Sequence, residues 1–174
     1  ANWILSAKSM AYGQLFFVAI SFSILAYTLV ANDFSVAYVA ANSNSSLPVL
    51  YRFCATWGAH EGSLLLWVLI LCIWMTLLSL FSKNIPMVII GRVLAILSII
   101  SCGFLLFLLT TSNPFNRLLP EVPLEGRSLN PLLQDPGLAI HPPMLYMGYV
   151  GFSVVFAFAI AALVSGKFDS NWAR

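Results

Sequence analysis

The chain has two histidines, and each stands where an apolar run meets a polar stretch. His141 lies in "NPLLQDPGLAIHPPMLYMGY", directly before Pro142 and Pro143. Proline is favoured in the first turn of a helix, where its missing N–H had no partner to lose. The residue before a proline is held extended. The pattern therefore predicts a helix from about Pro143, with His141 at its cap and the imidazole held in a fixed direction. The positive end of a helix disfavours a second positive charge, which biases the ring toward the neutral form that binds metals. The same end attracts an anion. An imidazole beside an anion site would suit an iron porphyrin with its propionates, and would equally suit an interfacial histidine with no ligand. Gln134 and Asp135, a turn or two upstream, join His141, Pro142 and Pro143 as candidate cofactor-binding residues, with His141 as the candidate metal ligand.

His60 lies in "TWGAHEGSLLLW". If its helix begins before Ser63, then His60, Trp67 and Trp74 share one face at seven-residue spacing. Trp57 precedes His60 by three residues and Glu61 follows it. Such a rim could pave a flat cofactor, which makes Trp57 and His60 candidates for contact with it. It could also be an aromatic belt at a membrane surface. His60 and Ser63 are one helical turn apart, close enough for a base and a nucleophile. No Gly-x-Ser-x-Gly accompanies them, and no phosphate-cradling glycine loop occurs. Cys54, Cys72 and Cys102 are widely spaced with no C-x-x-C, which reads as packing rather than zinc binding or dithiol chemistry.

These residues must be positioned by membrane helices. The chain is 60% hydrophobic and 8% charged, with mean hydropathy +0.92. Soluble domains average about 25% charged residues. The net charge of +2 and the absence of a basic run argue against nucleic acid as a partner. A bilayer core of about 30 Å takes roughly 20 apolar residues as helix. Four stretches qualify, at about 10–31, 63–82, 87–111 and 143–165. The expected fold is an all-α integral membrane protein with two longer loops, about 32–62 and 112–142.

Lys8, Lys83, Arg92, Lys167 and Arg174 fall on one side of these spans. By the positive-inside rule, both termini lie on the cytoplasmic or matrix side and the long loops outside. The second loop interleaves prolines with leucines, which seek a surface to cover. Small residues at four-residue spacing, Ser153, Ala157, Ala161 and Ser165, allow close helix packing on the last span. No carboxylate lies within a span, which weighs against a small-solute transporter.

Two stretches, "YRFCATWGAHEGSLLLWVL" and "SLNPLLQDPGLAIHPPMLYMGYVGFSVVFAFAIAAL", resemble the CcmF proteins of the haem handling family, and "TSNPF" and "LEGRSLNP" fit as well. The resemblance runs from about Ala31 to Arg174. It implies a part in a haem lyase of the bacterial cytoplasmic membrane or the mitochondrial inner membrane. Such a lyase receives haem from CcmE, acts with CcmH and CcmI, and attaches haem to apocytochrome c by thioether bonds. An outer-face histidine in the family's "HPP" segment, an axial ligand of the delivered haem, matches His141. Arg117 and Arg127 could pair with haem propionates, or be solvated loop charges.

The chain departs from the family in lacking the tryptophan-rich signature "WGGxWxWD", a second outer histidine and two intramembrane histidines. The second axial ligand is therefore expected outside this chain, on the rest of a longer CcmF polypeptide or on a split-gene partner. The chain alone is expected to be inactive. A non-catalytic membrane scaffold or a small-solute transporter remains the alternative.

Overall fold

Backbone amides in lipid must bond within their own segment, so each long apolar run closes into one helix. The computed structural model describes residues 2–166, and no strand occurs among them. Its elements are α1 (Asn2–Val30), α2 (Ala37–Asn42), α3 (Val49–Cys54), a 3-10 turn (Ala55–Trp57), α4 (His60–Phe81), α5 (Met87–Thr110), a second 3-10 turn (Pro131–Gln134) and α6 (Pro136–Ser165). Four segments are long and apolar enough to cross a membrane: Ser6–Val30, His60–Phe81, Met87–Thr110 and Ala139–Ser165. The expected all-α fold with four spans is thus observed. Lys167 and Arg174, used above for orientation, lie outside the described residues.

Helix α4 is central. It packs against α1, α5 and α6, and α5 also contacts α1 and α6. Its buried side chains, from Leu65 and Leu66 through Val68, Ile70, Leu71 and Cys72 to Met75, point in every direction around the axis. That is the pattern of a helix surrounded by neighbours. Ala157 and Ala161 of the small-residue stripe are fully buried in a cluster with Val93, Leu94 and Leu97 of α5. The stripe thus serves packing within the chain. A polar contact, Gln14 Nε2 to Ser101 Oγ, links α1 to α5 inside the bundle.

Three helix starts differ from expectation. Helix α1 begins at Asn2 rather than near residue 10, and α4 at His60 rather than Ser63. The largest difference is α6, which begins at Pro136, seven residues before the expected Pro143. Asp135 is the true cap. Its backbone is extended (φ −96°, ψ 131°), its Oδ1 accepts from Gly137 N at 2.8 Å, and its carbonyl accepts from Ala139 N at 2.8 Å. The proline rule applies, but to Pro136. Pro142 and Pro143 lie inside the helix, where a proline typically costs about 3 kcal/mol through its missing donor and ring clash.

Both long loops gather at one end of the bundle, and the second is clasped onto the first. Ala37 N donates to Asn116 O, Leu118 N to Ser35 O and Arg127 N to Ala40 O, each at 2.8 Å. Glu125 Oε1 accepts from Ser45 N at 2.9 Å. Leu129, 1% exposed, fills the core of the first loop with Val36, Val39 and Leu47.

Candidate functional site

The loop end is built around Tyr38. Its hydroxyl donates toward Ala55 O at 2.9 Å and Thr56 O at 3.2 Å, and accepts from Ala59 N at 3.1 Å. Burial pushes this phenol's pKa well above its ordinary value, so it stays a donor. The packing leaves no room at Gly62, where a Cβ would lie 1.8 Å from Thr56 O and 2.5 Å from Tyr38 Oη. Tyr38 thereby fixes the 3-10 turn that carries Trp57 and the start of α4.

Trp57 connects this turn to α6. Its backbone carbonyl accepts from Ser63 Oγ at 2.8 Å, and its ring meets Phe53 edge-on at 5.4 Å. Its indole Nε1 donates to Ala139 O at 2.9 Å. In a regular helix Ala139 O would accept from residue 143, and Pro143 has no N–H to give. The tryptophan supplies the missing donor, which helps explain how α6 runs through two prolines. Gln134 and Asp135 hold the same region: Gln134 Nε2 donates to Leu129 O at 3.0 Å, while Asp135 caps α6.

His141 stands in the second turn of α6, not at the cap. The helix dipole acts mainly within the first turn, and His141 lies beyond it. The side chain is exposed. A helical side chain leans toward the turn before it, and one turn before His141 is Gly137. Further along the same face are Met144 and Leu145, 67% and 38% exposed, then Gly148 with nothing near its Cβ position. The imidazole therefore opens onto an uncovered, largely apolar helix face flanked by two residues without side chains.

His60 is directed elsewhere. Its Nδ1 shares a 2.9 Å hydrogen bond with Ser112 Oγ, and its ring lies 6.0 Å from Phe107. With Leu64, Ile100, Gly103 and Phe104 it lines an apolar groove of about 390 Å³ between α4 and α5. Ser63 donates instead to the Trp57 carbonyl, so His60 and Ser63 do not form the base–nucleophile pair that their spacing allowed. Trp67 packs between Phe104 and Tyr146, and Trp74 Nε1 donates to Met147 O at 3.2 Å. These two rings join α4 to its neighbours.

The two arginines also separate. Arg117 Nη1 pairs with Asp33 Oδ2 at 3.0 Å and contacts Ser35 Oγ. The Ser35 hydrogen bond, with Arg117 beside it, holds the Asp33 carboxyl below its ordinary pKa. Arg127 is fixed by its backbone to Ala40 while its side chain is exposed. Tyr38, Asp33 and Ser112 escaped the sequence reading. Their partners lie between 2 and 84 residues away with no period or motif to mark them.

Four apolar helices beneath clasped loops define a multi-pass membrane protein, and an exposed histidine stands where the loops meet α6. The model of the family described as cytochrome C assembly protein matches residues 57–173, more than half of the chain. CcmF of Pseudomonas aeruginosa, a cytochrome c-type biogenesis protein, is 61% identical over 173 residues, covering 99% of this chain and 26% of its own length. CcmF of Escherichia coli (strain K12) is 60% identical over 174 residues, covering 100% of this chain and 27% of its own. A solved structure titled "Cytochrome c Heme Lyase CcmF" superposes with TM-score 0.83 at 28% identity, over 98% of this chain and 26% of that one. The chain belongs to the cytochrome c assembly protein family, among its CcmF-type biogenesis proteins. It spans about a quarter of the length of the curated relatives it matches.

Proposed function

We propose that this chain is part of a cytochrome c haem lyase and that His141 is one axial ligand of the haem held for attachment. The observation that carries the reading is the open face of α6 around His141. A neutral imidazole nitrogen is a usual donor to haem iron. The glycines at 137 and 148 keep side chains away from a flat ligand, and Met144 and Leu145 offer apolar surface to its plane. Among the described residues no group of three or more His, Cys, Asp or Glu could form a metal site. His60 is engaged with Ser112 beside the α4–α5 groove, so this reading assigns the second ligand to another segment or chain.

Haem is the substrate here: each cysteine thiol of the cytochrome adds S and H across a vinyl double bond. The contribution of this chain is to bind and orient, which removes much of the entropic barrier between two large reactants. His141 fixes the iron, and exposed Arg127 is the propionate partner, through charge-assisted hydrogen bonds. Arg117, already paired with Asp33, holds the loops together. In this reading the loop end faces the outer side of the bacterial inner membrane, with both termini on the cytoplasmic side. A mitochondrial inner membrane would give the equivalent topology. CcmE delivers haem there, CcmH and CcmI act alongside, and apocytochrome c accepts it.

The test is haem content and cytochrome c yield of the full polypeptide purified with its membrane partners, as wild type and as His141→Ala. A loss of both at normal protein yield supports the ligand role. Unchanged values for both would reduce this chain to a membrane scaffold.

A further inference from the structure

We infer that Trp57 is a positioning residue for His141, its indole N–H replacing the backbone amide that Pro143 lacks. The inference rests on His141 being a haem ligand. The consecutive prolines remove two donors from the helical ladder just beyond His141, so this turn of α6 is not held by its own backbone alone. The carbonyl freed by Pro143 is that of Ala139, and that atom accepts from Trp57 Nε1 at 2.9 Å. Ala139 is 3% exposed and faces the protein. His141, two residues on and about 200° around the helix, faces away. One hydrogen bond on the inner side thus sets the rotation and height of the imidazole on the outer side.

Trp57 is suited to this because it is itself immobilised. The Ser63 hydroxyl holds its carbonyl, and Phe53 braces its ring at an interplanar angle of 89°. At the next residue, Gly58, a Cβ would lie 2.9 Å from Leu129 Cδ1, so the turn is pressed against the second loop. The first long loop thereby sets the position of a ligand carried by α6, more than 80 residues later in the chain.

The experiment compares Trp57→Phe, Pro143→Ala and the double variant in the full polypeptide with its partners. Phenylalanine keeps an apolar ring and removes the N–H. Alanine at 143 restores an amide that can bond Ala139 O from within the helix. Readouts are haem content, the absorption spectrum with and without added imidazole, and amide exchange across residues 139–147. The expected result is that Trp57→Phe lowers haem content about fivefold, equivalent to ~1 kcal/mol at 1.4 kcal/mol per tenfold, and raises exchange. Pro143→Ala or added imidazole then recovers the spectrum. Pro142→Ala should not rescue, because its amide would serve residue 138.

If His141→Ala loses haem while Trp57→Phe leaves haem and exchange unchanged, the inference is wrong and the ligand reading stands. Equal loss on Trp57→Phe with and without Pro143→Ala would also overturn it. If His141→Ala itself retains haem, the ligand reading has failed. The positioning role falls with it, even if exchange still links Trp57 to α6.

Discussion

At the residue scale, the loop end depends on small residues and single polar atoms. Gly137 lies one helical turn before His141, and even a Cβ there would approach the capping carboxylate of Asp135 to 3.0 Å. Gly137→Leu should lower haem content severalfold while membrane insertion stays normal, as read by haem quantification against protein yield. Gly62 is a stricter case. A methyl group 1.8 Å from Thr56 O cannot be accommodated without moving the turn. Gly62→Ala should therefore destabilise the loop end by about 3 kcal/mol or more, seen as faster proteolysis of residues 32–62 in detergent or nanodiscs. The apolar runs could be read from the sequence because their residue types are informative alone, and His141 could be singled out there as a candidate, though not placed within its helix. Gly62 and Tyr38 could not, because what matters there is the space and the partner supplied by distant residues.

At the scale of elements, the clasp between the two long loops is charged and exposed, so it should respond to acid. The carboxyls of Asp33 and Glu125 both sit below their ordinary pKa, chiefly through hydrogen bonds from Ser35 and Ser45 respectively. A depressed carboxylate pKa favours the clasped form above the unfolded value, 3.8 for Asp33 and 4.5 for Glu125. That contribution fades as pH falls through those values toward the lower folded ones. Amide protection factors in residues 112–130, taken relative to the intrinsic rate at each pH, should fall on going from pH 6 to pH 3, and Asp33→Asn should lower them already at pH 6. An exchange profile indifferent to both changes would mean that the backbone bonds alone hold the loop.

The elements also show why parts of the fold were hidden. A membrane span needs about 20 apolar residues, so all four were visible in the sequence. The start of α6 was not, because two proline signals compete. "HPP" looks like a helix start, while the working cap is Asp135–Pro136, seven residues earlier. The bond from Trp57 to Ala139 O helps explain how the helix continues through Pro143. The six-residue helices α2 and α3 are too short for periodicity to reveal.

At the scale of the molecule, α4 organises everything else. It carries the Trp57 turn at its N-terminal end, and its own Trp67 and Trp74 pack against α6. The histidine face of α6 stays uncovered, and relatives are about four times as long as this chain. Under the proposed ligand role, covering that face and supplying a second iron ligand would fall to the rest of such a protein. Expressed alone in membranes, the chain should insert but yield no holocytochrome c. The most direct measurement is the absorption spectrum of the purified full complex, as wild type and as His141→Ala, with imidazole added back. A Soret band that weakens or shifts in the variant and recovers with imidazole is the predicted result. Superimposable spectra with normal cytochrome c yield would contradict the account and leave His141 an exposed residue of α6 with no ligand.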